Sequence, residues 1–105
     1  MKSETPKIVI IDDNQDYLFT MKTFLTRNGF EVLTAPDGKR GLDLINSEQP
    51  DLILLDVMME ALYSGFEVCK QIRKDPSLSA IPIIGISGMK EELGINFNKY
   101  RDAEY

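Results

Sequence analysis

Two aspartates sit side by side at Asp12 and Asp13, a third stands at Asp56, and a hydroxyl follows at Ser87; each closes an apolar run. The runs are Ile8-Val9-Ile10-Ile11, Leu52-Ile53-Leu54-Leu55 and Ile83-Ile84-Gly85-Ile86. If the three carboxylates converge, two like charges ~4–5 Å apart repel by about 3–4 kcal/mol at an effective dielectric of about 20. A divalent cation offsets that repulsion. Mg²⁺ suits the set, because it takes hard oxygen ligands, keeps several waters, and needs only one or two carboxylates beside a phosphate or carbonyl oxygen. With two carboxylates committed to metal, a third is free to act as a nucleophile toward phosphorus, which gives an aspartyl phosphate. The cation would then neutralise charge on the phosphoryl oxygens, and Ser87 could donate to one of them.

For that chemistry the three runs must end at one place. Four consecutive Val, Ile or Leu residues without alternation read as strands covered on both faces, as in a parallel sheet, and ligands gather outside the carboxyl ends of such strands. The rest of the chain supplies the connections. Strands are predicted over Lys7–Asp12, Glu31–Ala35, Asp51–Asp56 and Ile81–Ser87. Helices are predicted over Asn14–Arg27, with a buried stripe of Tyr17, Leu18, Met21, Phe24 and Leu25, over Asp37–Ser47 with Leu42 and Ile45 inward, and over Phe66–Lys74 with Phe66, Cys69 and Ile72 on one face. Asn28-Gly29, Pro50 and Asp75-Pro76 are the stops. Gly38 and Gly41 point to close packing or to a weak start of the second helix. Beyond Ser87 the chain is polar, and Asn96–Tyr105 reads as a short helix. Alternating strands and helices imply parallel, right-handed crossover units, hence an α/β fold with few possible topologies.

Composition narrows the function. The 105 residues carry 12 Lys and Arg against 17 Asp and Glu, a net charge of −5, and no basic run, which argues against direct nucleic acid binding. No stretch approaches the ~18 apolar residues of a membrane span, and the first residues lack a secretory leader. A single cysteine, Cys69, excludes an internal disulfide and suits a reducing, cytoplasmic setting.

Structural roles compete with chemical ones. Asp13 or Asn14 could be the cap of the first helix, where an acidic group also meets the positive end of the helix dipole. Ser87 could bond only the backbone. Met58 and Met59 read as packing residues, and Cys69 as an inert member of the core. Tyr63 and Phe66 suit either packing or a docking surface.

From Lys7 to about Tyr105 the chain resembles the receiver domains of bacterial two-component response regulators. The resemblance rests on Ile8–Asp13, Asp56-Val57-Met58-Met59, Gly65, Pro82 and Ser87. It implies an α/β doubly wound parallel sheet of flavodoxin-like strand order 2-1-3-4-(5). It further implies that Asp56 accepts a phosphoryl group from a histidine kinase or phosphotransfer protein. Asp12, Asp13, Asp56 and the backbone carbonyl of Met58 would hold Mg²⁺, and Ser87 would be the switch hydroxyl. The output would be a partner-binding surface acting on an effector domain or protein, with no separate enzymatic activity. Three positions depart from the family pattern: Glu60 replaces a usual Pro, the Asp56-to-Gly65 spacing is one residue longer, and Gly88 stands for a usual Ala. Strand starts recur at intervals of roughly 20 to 30 residues, so a fifth strand falls due near Tyr105. The fifth strand, its phosphate-pairing Lys and the last helix are therefore expected to be missing, with residues 1–105 a receiver domain truncated before strand five. An open, apolar fourth strand then invites dimerisation or segment swapping.

Three other readings compete. A degenerate receiver would bind partners without phosphorylation. A small-molecule phosphatase with an aspartyl nucleophile would want an acid two residues after Asp56, where Met58 stands. A flavin module would need a Ser/Thr/Gly-rich phosphate loop in place of Asp12-Asp13-Asn14-Gln15-Asp16.

Overall fold

The computed structural model describes residues 5–57 and 65–86. Met58, Glu60, Tyr63, Ser87, Gly88 and the expected helix over Asn96–Tyr105 lie outside the described residues. Within them, four strands alternate with three helices: β1 (Lys7–Ile11), α1 (Gln15–Arg27), β2 (Glu31–Ala35), α2 (Gly38–Glu48), β3 (Leu52–Asp56), α3 (Gly65–Lys74) and β4 (Ile83–Ile86). The strands are parallel and lie in the order β2-β1-β3-β4, the doubly wound arrangement expected for the first four.

Each unbroken apolar run serves two cores, because successive side chains leave a strand on opposite faces. Val9, Ile11, Ile53 and Leu55 join Ala35, Ile45, Val68, Cys69, Ile72 and Leu78 under α2 and α3. Ile8, Ile10, Val32, Leu54 and Ile86 face the other way and pack with Leu18 of α1. Cys69 lies in the first of these cores, 6% exposed, and burial pushes its thiol above the ordinary range.

Two expected stripes are narrower than the sequence pattern. Leu18 is buried and Tyr17, Met21 and Leu25 pack against that core, but Phe24 is 58% exposed. Phe66 is 55% exposed, while Val68, absent from the expected stripe, is fully buried beside Cys69 and Ile72. In each helix the core contact spans an arc that the outlying phenylalanine overshoots.

Local chemistry sets the ends of the elements. The side chains of Asn14 and Asp37 accept hydrogen bonds from the backbone N–H groups of Tyr17 (3.0 Å) and Arg40 (2.8 Å), so each caps the helix that follows. The cap of α1 is thus Asn14, not Asp13. Gly29 leaves α1 at φ 94°, a conformation open to glycine at little cost. Lys7 ties the start of β1 to the end of α2 through its Nζ, 2.9 Å from Glu48 Oε1, and its backbone N–H donates to Asp51 Oδ2 at 2.8 Å.

The approach of α2 to the sheet depends on Gly41. A Cβ there would collide with Ile11 Cδ1 and lie 2.7 Å from Ile11 Cγ1, and Ile11 is fully buried. Gly41→Ala is therefore expected to cost about 1–3 kcal/mol by overpacking. Ile11→Val, which deletes the colliding Cδ1, should recover part of that loss. A urea double-mutant cycle measures the coupling, and strictly additive losses would show that the two positions do not compete for space.

Candidate phosphoacceptor and metal site

Register brings the acidic residues together. β1 pairs with β3 through Ile11 and Leu55, so the next residue on each strand, Asp12 and Asp56, emerges at neighbouring positions. Both continue the parity of Ile8, Ile10 and Leu54, the residues facing α1, so their side chains leave the sheet on one side. The backbone secures both ends past the ladder: the Asp12 N–H donates to Ala35 O (3.1 Å), and the Val57 N–H to Ile86 O (2.9 Å).

Asp12, Asp13 and Asp56 each offer a carboxylate oxygen, and these oxygens all lie within 4.8 Å of one another. Asp12 is 5% and Asp56 4% exposed, the two charged residues among the described ones that the fold buries, whereas Asp13 reaches solvent. Burying an unpaired carboxylate is costly, and such groups resist ionisation. Asp12 shows it: burial foremost, with the charges of Asp56 and Asp13 and a side-chain hydrogen bond to Asp56, pushes its carboxyl up to about 6. Only the backbone N–H of Asn14, donating to Asp12 Oδ1 at 2.8 Å, pulls the other way. The same Asn14 caps α1, so one residue orients Asp12 and starts the helix.

The opposite wall of Asp56 is main chain. Gly65, the first residue of α3, lies so close to the end of β3 that a Cβ on it would be 2.6 Å from Asp56 O and would collide with Val57 Cα. The sequence singles out Gly65 only through the family resemblance; its packing against Asp56 has no signature in composition or spacing.

Of the residues expected at the site, the fold brings Asp12, Asp13 and Asp56 together. Met58 and Ser87 lie outside the described residues. Three close carboxylates, two of them buried, form an all-oxygen donor set with excess negative charge, which fits a hard divalent cation such as Mg²⁺. Among the described residues no helix is long and apolar enough to cross a membrane.

Known proteins resemble the chain in sequence and in fold. The family model described as response regulator receiver domain matches residues 8–99. Relatives include the alkaline phosphatase synthesis transcriptional regulatory protein PhoP of Bacillus subtilis, 40% identical over 82% of this chain and 35% of its own length. Protein PilH of Pseudomonas aeruginosa is 35% identical over 92% of this chain and 79% of its own. The receiver domain of the Francisella response regulator 1452 superposes with a TM-score of 0.73 at 32% identity, covering 96% of this chain and 82% of that one. Chemotaxis protein CheY4 of Vibrio cholerae gives a TM-score of 0.74 at 27% identity, covering 95% and 82%. The chain spans about a third of the length of PhoP and of a probable transcriptional regulator ycf27 from Galdieria sulphuraria. With four parallel strands in receiver order, an acidic cluster at their carboxyl ends, and a family match over most of its residues, the chain belongs to the response regulator receiver domains.

Proposed function

We propose that Asp56 is a phosphoacceptor, taking a phosphoryl group from a phosphohistidine on a histidine kinase or phosphotransfer protein. The observation that carries this reading is the convergence of Asp12, Asp13 and Asp56 within 4.8 Å, with Asp56 buried at the end of β3. An oxygen of Asp56 attacks phosphorus, the P–N bond breaks, and the imidazole nitrogen leaves with the electron pair. The product is an acyl phosphate on Asp56 and a neutral histidine on the donor.

Residues of this chain divide the remaining work. Asp12, Asp13 and Asp56 would hold Mg²⁺, with the Met58 carbonyl as a further ligand. Bound there, the ion would neutralise charge on the phosphoryl oxygens. Ser87, next in sequence after Ile86, would donate its hydroxyl proton to one of those oxygens. The Asn14 N–H keeps Asp12 oriented, and Gly65 keeps α3 against the Asp56 backbone. Phosphorylation adds about two negative charges and strong acceptor oxygens, which would bias a two-state surface that an effector domain or protein reads. The reaction is signalling by self-modification in the cytoplasm, with no turnover of a separate substrate.

Beryllofluoride with Mg²⁺ provides the test. Tight uptake by the parent chain and its loss in Asp56→Asn is the expected result, with the fold of the variant checked by circular dichroism. Equal uptake by both, or labelling by a small phosphodonor at another residue, would remove Asp56 from the role.

A further inference from the structure

The outward face of α1 has no use in the site chemistry, yet it carries two of the most exposed phenylalanines among the described residues, Phe19 at 74% and Phe24 at 58%. With Thr20, Thr23, Arg27 and Asn28 they line a shallow groove of ≈ 510 Å³. Two large apolar side chains left open on one helix face offer surface that a partner can cover. The order of residues says what would cover it.

At 100° per residue, Thr20 and Thr23 lie along the centre of the face, Phe19 on one flank and Phe24 on the other. Asp16 and Arg27 are eleven positions apart, about three turns, and so share the same central line at opposite ends of the helix. Reversed about a point between Met21 and Lys22, the pattern matches itself, with Phe on Phe, Thr on Thr and the acid Asp16 on the base Arg27. Residue numbers of matching positions sum to 43 for Asp16 with Arg27, Phe19 with Phe24, and Thr20 with Thr23. A face with that property is complementary to its own antiparallel copy, the condition for a closed two-fold interface.

We infer that the α1 face pairs with the α1 face of a second copy of this chain, antiparallel, with Asp16 of each copy opposite Arg27 of the other. At the level of Phe19 the facing helix presents Thr23 on the same flank, and at the level of Phe24 it presents Thr20. Each large side chain thus meets a small one, as interdigitating layers require. Antiparallel pairing also sets the positive end of each helix dipole beside the negative end of the other. One pair of 13-residue helices makes a small interface, so the dimer belongs to the weak, concentration-dependent class, with a Kd on the order of 10⁻⁴ M.

Sedimentation equilibrium of the 105-residue chain, run from about 10 µM to about 1 mM, reads the association. Phe19→Ala with Phe24→Ala should weaken it by about a hundredfold, since each loss counts twice across a two-fold axis. Asp16→Arg alone should weaken it about tenfold, Arg27→Asp similarly, and the double exchange should restore it. Because the double exchange puts unfavourable charges at both helix ends, recovery cannot come from a better helix, and urea midpoints track folding separately. A chain that stays monomeric throughout overturns the inference and leaves the face to a different protein. A dimer indifferent to the phenylalanines, or a double exchange that fails to restore it, overturns it equally.

Discussion

Between about pH 4 and pH 6.5, and in the absence of divalent metal, the folded chain is expected to lose about 3 kcal/mol of stability through Asp12, and Asp12→Asn to remove that loss. In the native fold Asp12 titrates at about 6, against its ordinary value of 3.8. The direction follows from proton counting. Above its unfolded pKa and below its folded one, Asp12 binds a proton in the native state and not in the unfolded chain, so stability falls as pH rises. Below about 3.8 both states are protonated and the contribution is fully present; above about 6 it is gone. The cause is burial with two neighbouring carboxylates, so neutralising the group in Asn removes the penalty while leaving a side chain of the same shape to accept from the Asn14 N–H. Urea unfolding of both chains across the pH range gives the answer. Parallel profiles for parent and variant would show that Asp12 is not the group responsible. Added Mg²⁺ should raise the stability of the parent at pH 7 and do less for Asp12→Asn, because a cation acts on the charge that the substitution deletes.

That an acid so costly to ionise should sit in a fold is legible from the sequence in part. Apolar runs that show no alternation announced strands covered on both faces, and an aspartate directly after such a run has no packing role to explain it. Strands separated by helical spacing imply parallel crossovers, which put Asp12, Asp13 and Asp56 at the same edge of a sheet; the doubly wound order that makes β1 and β3 neighbours is legible only through the family resemblance. The pairing of Ile11 with Leu55 is what turns a shared end into a shared face; register of this kind depends on three-dimensional packing that period-two reasoning does not supply. Helix stripes are less legible. Spacing of three and four admitted Phe24 and Phe66 because it measures azimuth coarsely, and at the flank of a stripe a phenylalanine can turn either way. The choice of Asn14 over Asp13 as cap was also open, since both residues can accept from a helix N-terminus. Asp12 settles it, by taking the Asn14 N–H itself and fixing where α1 begins.

Least visible of all was the reason for glycine at the start of α3. Gly65→Ala is expected to cost about 3 kcal/mol, a fall in Tm on the order of 15 °C for a domain of this size. The added Cβ would sit 2.6 Å from Asp56 O and 3.1 Å from its carbonyl carbon, and would collide with Val57 Cα. Contrast Gly41, where the obstacle is the far end of the Ile11 side chain, which a smaller residue can withdraw. At Gly65 the obstacle is backbone, and that backbone is fixed on its other side by the ladder to β4, where the Val57 N–H donates to Ile86 O at 2.9 Å. Relief therefore requires α3 to move outward, taking Val68, Cys69 and Ile72 from the core they share with β3. The alternative is for the end of β3 to shift, which displaces Asp56 from Asp12 and Asp13. The two routes separate experimentally. Loss of stability with unchanged beryllofluoride affinity means the helix gave way, and loss of both means the strand end did. An alanine variant with parental stability and parental affinity would show that the close approach of α3 to Asp56 does not constrain the chain.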